Sequence, residues 1–164
     1  MPVPQFILDL RRHVGTMPLW LMGTSVVVLR EGAEGPEVLL VRRADNGLWA
    51  LISGIVDPGE NPSVTAVREA KEEAAVDIQV ERMLWLGVTH PSRYDNGDIC
   101  QYLDHGFRAR YAGGLAEVGD DESTAVGWFP VDALPSPRAH RVDYGVRLAL
   151  EDPRDVALDD LIDQ

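Results

Sequence analysis

Apolar residues recur at Phe6, Ile7, Leu10 and Val14, the spacing of one helical face, and Gly15 ends the run. Residues 25–29 and 38–41 are short β-branched and leucine-rich runs that predict two strands, joined by a polar, glycine-bearing turn over 31–36. After Trp49 the pattern breaks into Gly54, Asp57, Pro58, Gly59 and Glu60. A helix then opens with Asn61 as N-cap and Pro62 at its first position, where the missing N–H costs nothing. It is expected to run to about Ala75. Strand-like stretches follow at 78–89, 100–111 and 126–129, and the polar loop 90–98 between the first two holds an Asn96-Gly97 turn signal. A last helix is expected at about 142–150, with an acidic tail over 153–164. Strands around a central helix, with another helix at the end, predict a compact α/β (α+β) sandwich.

The chain has 164 residues, one domain's worth, and neither a repeat nor a low-complexity linker divides it. Residues 1–22 form an N-terminal extension read as helical. Acidic residues number 27 against 15 basic ones, a net charge of −12, which argues against a nucleic-acid partner. A small phosphorylated ligand stays compatible with that charge if a cation mediates the contact. Only Lys71 among the basic residues is lysine, so a phosphate clamp would be arginine. The single cysteine, Cys100, excludes an internal disulfide and a cysteine-based zinc site. No apolar run reaches the length of a membrane span, and the N-terminus lacks the order of a signal peptide, so a cytoplasmic location is expected.

The most informative segment runs from Gly54 through Glu60 to Arg68, Glu69, Lys71, Glu72 and Glu73. At about 100° per residue, Glu69, Glu72 and Glu73 fall within an arc of roughly 100° on one helical face. Carboxylates so placed repel one another unless a hard divalent cation such as Mg²⁺ or Mn²⁺ neutralises them. Thr65 and Ala66 leave room on that side, while Val67, Ala70 and Ala74 form the stripe expected to pack on a sheet. Arg68, four residues before Glu72, can pair with a carboxylate and hold it in place.

With Gly54, Glu60, Arg68, Glu69, Glu72, Glu73 and Val76 in register, the segment resembles the signature of the Nudix (MutT-like) hydrolases. Trp49-x-Leu51, Gly59-Glu60, and Glu122 ahead of Trp128-Phe129 and Leu134-Pro135 extend the resemblance over most of the chain. Ala70, Ala75 and the Ile52-Ser53 pair depart from the usual pattern and bear on loop and helix-end geometry. The resemblance implies an α/β/α sandwich with a mixed central sheet and a catalytic loop-helix. It implies that Glu69, Glu72, Glu73 and the Gly54 carbonyl bind divalent cations, with Glu60 in support and Arg68 orienting Glu69 or Glu72. The implied reaction is attack of water on a phosphorus of a nucleoside diphosphate linked to another moiety, with Glu69 or Glu122 as the base.

Arg42 and Arg43 end a strand just before this loop, and strand alternation lets only one of them face a substrate phosphate. Arg93 is a further candidate for contacting substrate, and Tyr94, Tyr102 and Phe107 are aromatic side chains able to stack on a base. Trp49, Trp85 and Trp128 read as packing. Two rival readings remain at this point: a Nudix-like nucleotide sensor without turnover, and an isopentenyl-diphosphate isomerase, although the isomerase's local cysteine motif is missing around Cys100. The apolar face of the first helix and the run Leu19-Trp20-Leu21-Met22 can serve a homodimer or cap their own domain.

Overall fold

The computed structural model describes residues 3–94 and 96–162. Helix α1 (Gln5–Val14) ends at Gly15, whose φ of 58° is the left-handed conformation glycine adopts freely. Strand β1 (Leu19–Glu31) starts well before the 25–29 run, so the extension is helical only over its first part. Leu19 and Leu21 are buried while Trp20 and Met22 are exposed, a period of two that belongs to a strand. Leu19 and Leu21 pack with Ile7, Phe6, Val14 and Cys100, so α1 covers its own sheet.

Strand β2 (Pro36–Arg43) follows, then two short strands absent from the sequence reading, β3 (Trp49–Ala50) and β4 (Ile52–Ile55). Next come α2 (Pro62–Ala74), β5 (Val76–Thr89), β6 (Ser92–Arg93), β7 (Ile99–Gly114), β8 (Ser123–Pro130) and α3 (His140–Glu151). The sheet runs β3-β2-β1-β7-β5, with β4 also paired to β1, β6 to β7 and β8 to β2. It is mixed: β1 lies antiparallel to β2 and β4 but parallel to β7, with Leu19 opposite Cys100 and Leu29 opposite Arg110. The expected acidic tail is corrected in part. Residues Ala157–Ile162 form β9, which lies parallel to β5, because the backbone there completes an otherwise open sheet edge. The tail's last two residues, and Asp95 in the 90–98 loop, lie outside the described residues.

Two cores make the sandwich. On one face, Ala66, Ala70 and Ala74 of α2 pack on Val26, Val28, Ile52 and Phe107. On the other, Val142, Val146 and Ala149 of α3 pack on Val27, Leu51 and Trp85. The expected α2 stripe therefore holds at Ala70 and Ala74 and differs at one member. Val67 is 41% exposed, and Ala66 takes its place on the sheet. The small side chains let the helix approach closely, and Phe107 belongs to the same core.

Asn61 caps α2 by accepting from the Ser63 N–H at 3.0 Å. Ala75 ends the helix at φ 56°, a left-handed conformation that its Cβ resists. Ala75→Gly should stabilise the fold by about 0.5–1 kcal/mol, since the relief of strain exceeds glycine's added chain entropy. Urea denaturation tests this, and an unchanged or lower midpoint would show that Ala75 sits there without strain.

Candidate functional site

The site forms where β4, α2 and the 115–122 loop meet. Thr24 on β1 lies opposite Gly54, and the Glu69 side chain folds directly over that glycine. A Cβ at residue 54 would fall 1.9 Å from Glu69 Oε1, so any larger residue there would push the Glu69 carboxylate out of its place. Glu69 is 1% exposed, and its buried Oε2 has no hydrogen-bond partner among the described residues. Burial pushes its acid up to about 7, against the pull of Arg68. Glu73, one turn on, is 7% exposed and accepts a 3.4 Å bond from the Ser53 N–H. Burial and the neighbouring Glu69 hold its carboxyl well above the ordinary range. Ser53 thus has a role at the β4 edge that the sequence reading did not give it.

Arg68 organises the rim. Its guanidinium donates to Glu60, to Glu69 Oε1 at 2.9 Å and to Glu72 Oε2 at 3.1 Å, and also reaches the Ile55 carbonyl. Glu60 accepts from Thr65 Oγ1 at 2.7 Å, and the Arg68 hydrogen bond holds its carboxyl below the usual range. Glu72 lies at the helix edge, 44% exposed and turned to Arg68. Among the described residues, no three acidic, histidine or cysteine side chains converge on one point. The arrangement is instead a buried pair, Glu69 and Glu73, with Glu72 held outside it on Arg68.

The remaining residues divide clearly. Glu122 lies exposed at the end of the 115–122 loop, and its carboxylate acts electrostatically on both Glu69 and Glu73. Asp120, from the same loop, acts on Glu73 as well. Arg43 is held by both oxygens of Asp45, at 2.9 and 2.6 Å, with Glu73 and Tyr94 among its electrostatic neighbours. Arg42 turns away and donates to the Gly47 carbonyl at 3.1 Å. A register shift in the β2–β8 pairing falls between the two arginines. Arg93 is exposed on β6, and among the described residues no hydrogen bond or ion pair joins it to the carboxylates.

Of the aromatic candidates, Phe107 belongs to the core and Tyr102 is half-buried with its hydroxyl 2.8 Å from that of Tyr94. Tyr94 is exposed. Trp49, Trp85 and Trp128 pack edge-on against Phe129, Tyr144 and Tyr111 respectively, as read from the sequence. Cys100 is buried against α1.

The two buried carboxylates fit a hard cation by the chemistry of the donor set. One oxygen lacks a partner, the two charges oppose each other, and a backbone glycine allows close approach. No helix among the described residues is long and apolar enough to cross a membrane.

The family model of the NUDIX domain matches residues 21–149. A MutT-like protein of Streptomyces ambofaciens is 33% identical over 131 residues, 80% of this chain and 76% of that protein. NudC of Pseudomonas putida (strain GB-1), an NAD-capped RNA hydrolase, is 34% identical over 133 residues, 77% of this chain but 41% of NudC. The present chain thus spans about two-fifths of that relative's length. The crystal structure of an ADP-ribose pyrophosphatase from Streptococcus suis 89-1591 has the same fold, with a TM-score of 0.62 at 23% identity, covering 85% of this chain and 98% of that one.

Proposed function

This chain belongs to the Nudix family, and we propose that it hydrolyses a diphosphate bond in a nucleoside diphosphate linked to another moiety, with Mg²⁺ as cofactor and Mn²⁺ able to substitute. The buried, opposed pair Glu69 and Glu73 supports this reading most strongly, because two carboxylates so enclosed are costly unless a cation joins them. Glu69, Glu73 and the Gly54 carbonyl would hold the cation, with Glu72 at the rim. When bound, the cation neutralises charge on the diphosphate oxygens.

The chain's own side chains do the rest. Arg68 ties Glu60, Glu69 and Glu72 into one unit, so the carboxylates keep their places when a charged substrate arrives. Arg43, steadied by Asp45, faces a substrate phosphate from the end of β2. Glu122 takes the proton of the attacking water as its oxygen bonds to phosphorus and the P–O bond to the leaving phosphate breaks. Two phosphorylated fragments result.

Turnover of ADP-ribose, a dinucleotide and a nucleoside triphosphate, followed by product identification, tests the reading. Excess chelator should abolish hydrolysis. Saturating Mg²⁺ should raise the melting temperature, because the cation binds the folded state and not the unfolded chain. Full activity in chelator overturns the proposal, and a Mg²⁺-dependent nucleotide shift without product marks a sensor instead. Homodimerisation through the exposed Trp20 and Met22 is the oligomeric part of the proposal. Light scattering at micromolar concentration should give twice the chain mass, and a monomer removes it.

A further inference from the structure

The 115–122 loop, between β7 and β8, is fastened to α2 by its backbone. Helical carbonyls in a last turn have no intrahelical donor. Here the Gly119 N–H donates to the Glu73 carbonyl at 3.0 Å, and the Glu117 N–H to the Ala74 carbonyl at 3.3 Å. At its other end the loop is fastened to the turn just after β2, where the Ala44 N–H donates to the Glu122 carbonyl at 2.7 Å. Between these points, Asp120 Oδ1 accepts the Glu122 N–H at 3.1 Å. Gly119 comes so close to the helix that a Cβ would stand 1.9 Å from the Glu72 carbonyl oxygen and 2.9 Å from its carbon. Those are backbone atoms of a packed helix, which cannot swing aside as a side chain does.

We propose that Gly119 is a positioning residue: its N–H bond to Glu73 and its missing side chain set the Glu122 carboxylate at a fixed place beside the metal-binding helix. The same residue whose carboxylate belongs to the metal pair, Glu73, thereby anchors the loop through its carbonyl. Two backbone bonds bring helix and loop together, although they lie more than forty residues apart in the chain. The proposal rests on the reading of Glu122 as the base.

Gly119→Ala forces the loop off the helix by an ångström or more. Misplacement on that scale costs up to about 10²-fold in rate. On the fastest substrate of the panel above, kcat should fall about 10- to 100-fold, with KM and the Mg²⁺-induced thermal shift near wild type. Combined with Glu122→Gln, Gly119→Ala should cause no further loss, because the group it positions is already gone. Wild-type kcat in Gly119→Ala, or losses that multiply in the double variant, overturns the proposal. Wild-type kcat in Glu122→Gln instead overturns the base reading itself, and the positioning role with it.

A variant remote from the packed contact guards against failure to fold. Glu122→Asp keeps the charge and shortens its reach by one methylene. A loop fixed by Gly119 cannot follow, so kcat should drop at least tenfold. Retention of wild-type kcat shows a loop free to move and also overturns the proposal.

Discussion

Glu73→Gln should lower turnover by about 10²- to 10³-fold, the scale of losing one fixed charge from an enclosed site, while making the metal-free protein more resistant to heat. The substitution keeps the size and the Ser53 hydrogen bond but removes a buried charge set against Glu69. Without a cation that charge works against folding, so its loss raises the melting temperature; with Mg²⁺ the order should reverse, because the wild type gains more from the ion. The same logic sets a pH dependence. The Glu69 acid sits near 7 in the folded protein against an ordinary 4.5. Below 4.5 both states hold the proton. Between 4.5 and 7 the unfolded chain releases it and the folded protein keeps it, so the Glu69 contribution to metal-free stability falls as pH rises through that window, and the raised Glu73 carboxyl acts in the same direction. Melting curves at pH 5 and pH 8, with and without Mg²⁺, check both statements. A metal-free wild type that is more stable at pH 8, or a Glu73→Gln protein less stable without metal, would contradict them.

Glu122→Gln is expected to cut kcat by about 10²- to 10⁴-fold with little change in KM, the pattern of a contact made mainly in the transition state. It should leave the fold intact, since the side chain is exposed and the loop is held by backbone bonds. Steady-state kinetics across pH decide the matter. Wild-type kcat throughout would make Glu122 a solvated turn residue and move the search for the base to Glu69.

Much of this was legible in the chain because the relevant signals are local. Asn61-Pro62 marks the start of α2 and Gly15 the end of α1, each through the conformation of a single residue. The acidic face of α2 follows from helical spacing alone. What was illegible depends on contacts across the sequence. Strand β4 is four residues of mixed character, and it is a strand because Gly23 to Val26 pair with it. Val67 looked like a core position by hydrophobicity, yet Ala66 is better placed on the helix to meet Val26 and Phe107. Arg42 and Arg43 are indistinguishable in sequence, and the partners they find in the folded chain, the Gly47 carbonyl and Asp45, tell them apart. Residues 157–162 read as solvated acid because parallel pairing with β5 leaves no short-range mark.

The parallel pairing of β1 with β7 also bears on how the chain acquires its fold. Leu19 meets Cys100, and every later pair in the ladder spans about eighty residues. Such distant closures are slow, because chain entropy is lost before the contact repays it. The antiparallel neighbours of β1, by contrast, come from β2 and β4 within about thirty residues. A growing polypeptide can therefore assemble β1, β2, β4 and α2 early, while the second edge of β1 waits for residue 110 to be made. Through that interval Val26, Val27 and Val28 lie on a half-paired strand, the segment most open to wrong partners during synthesis.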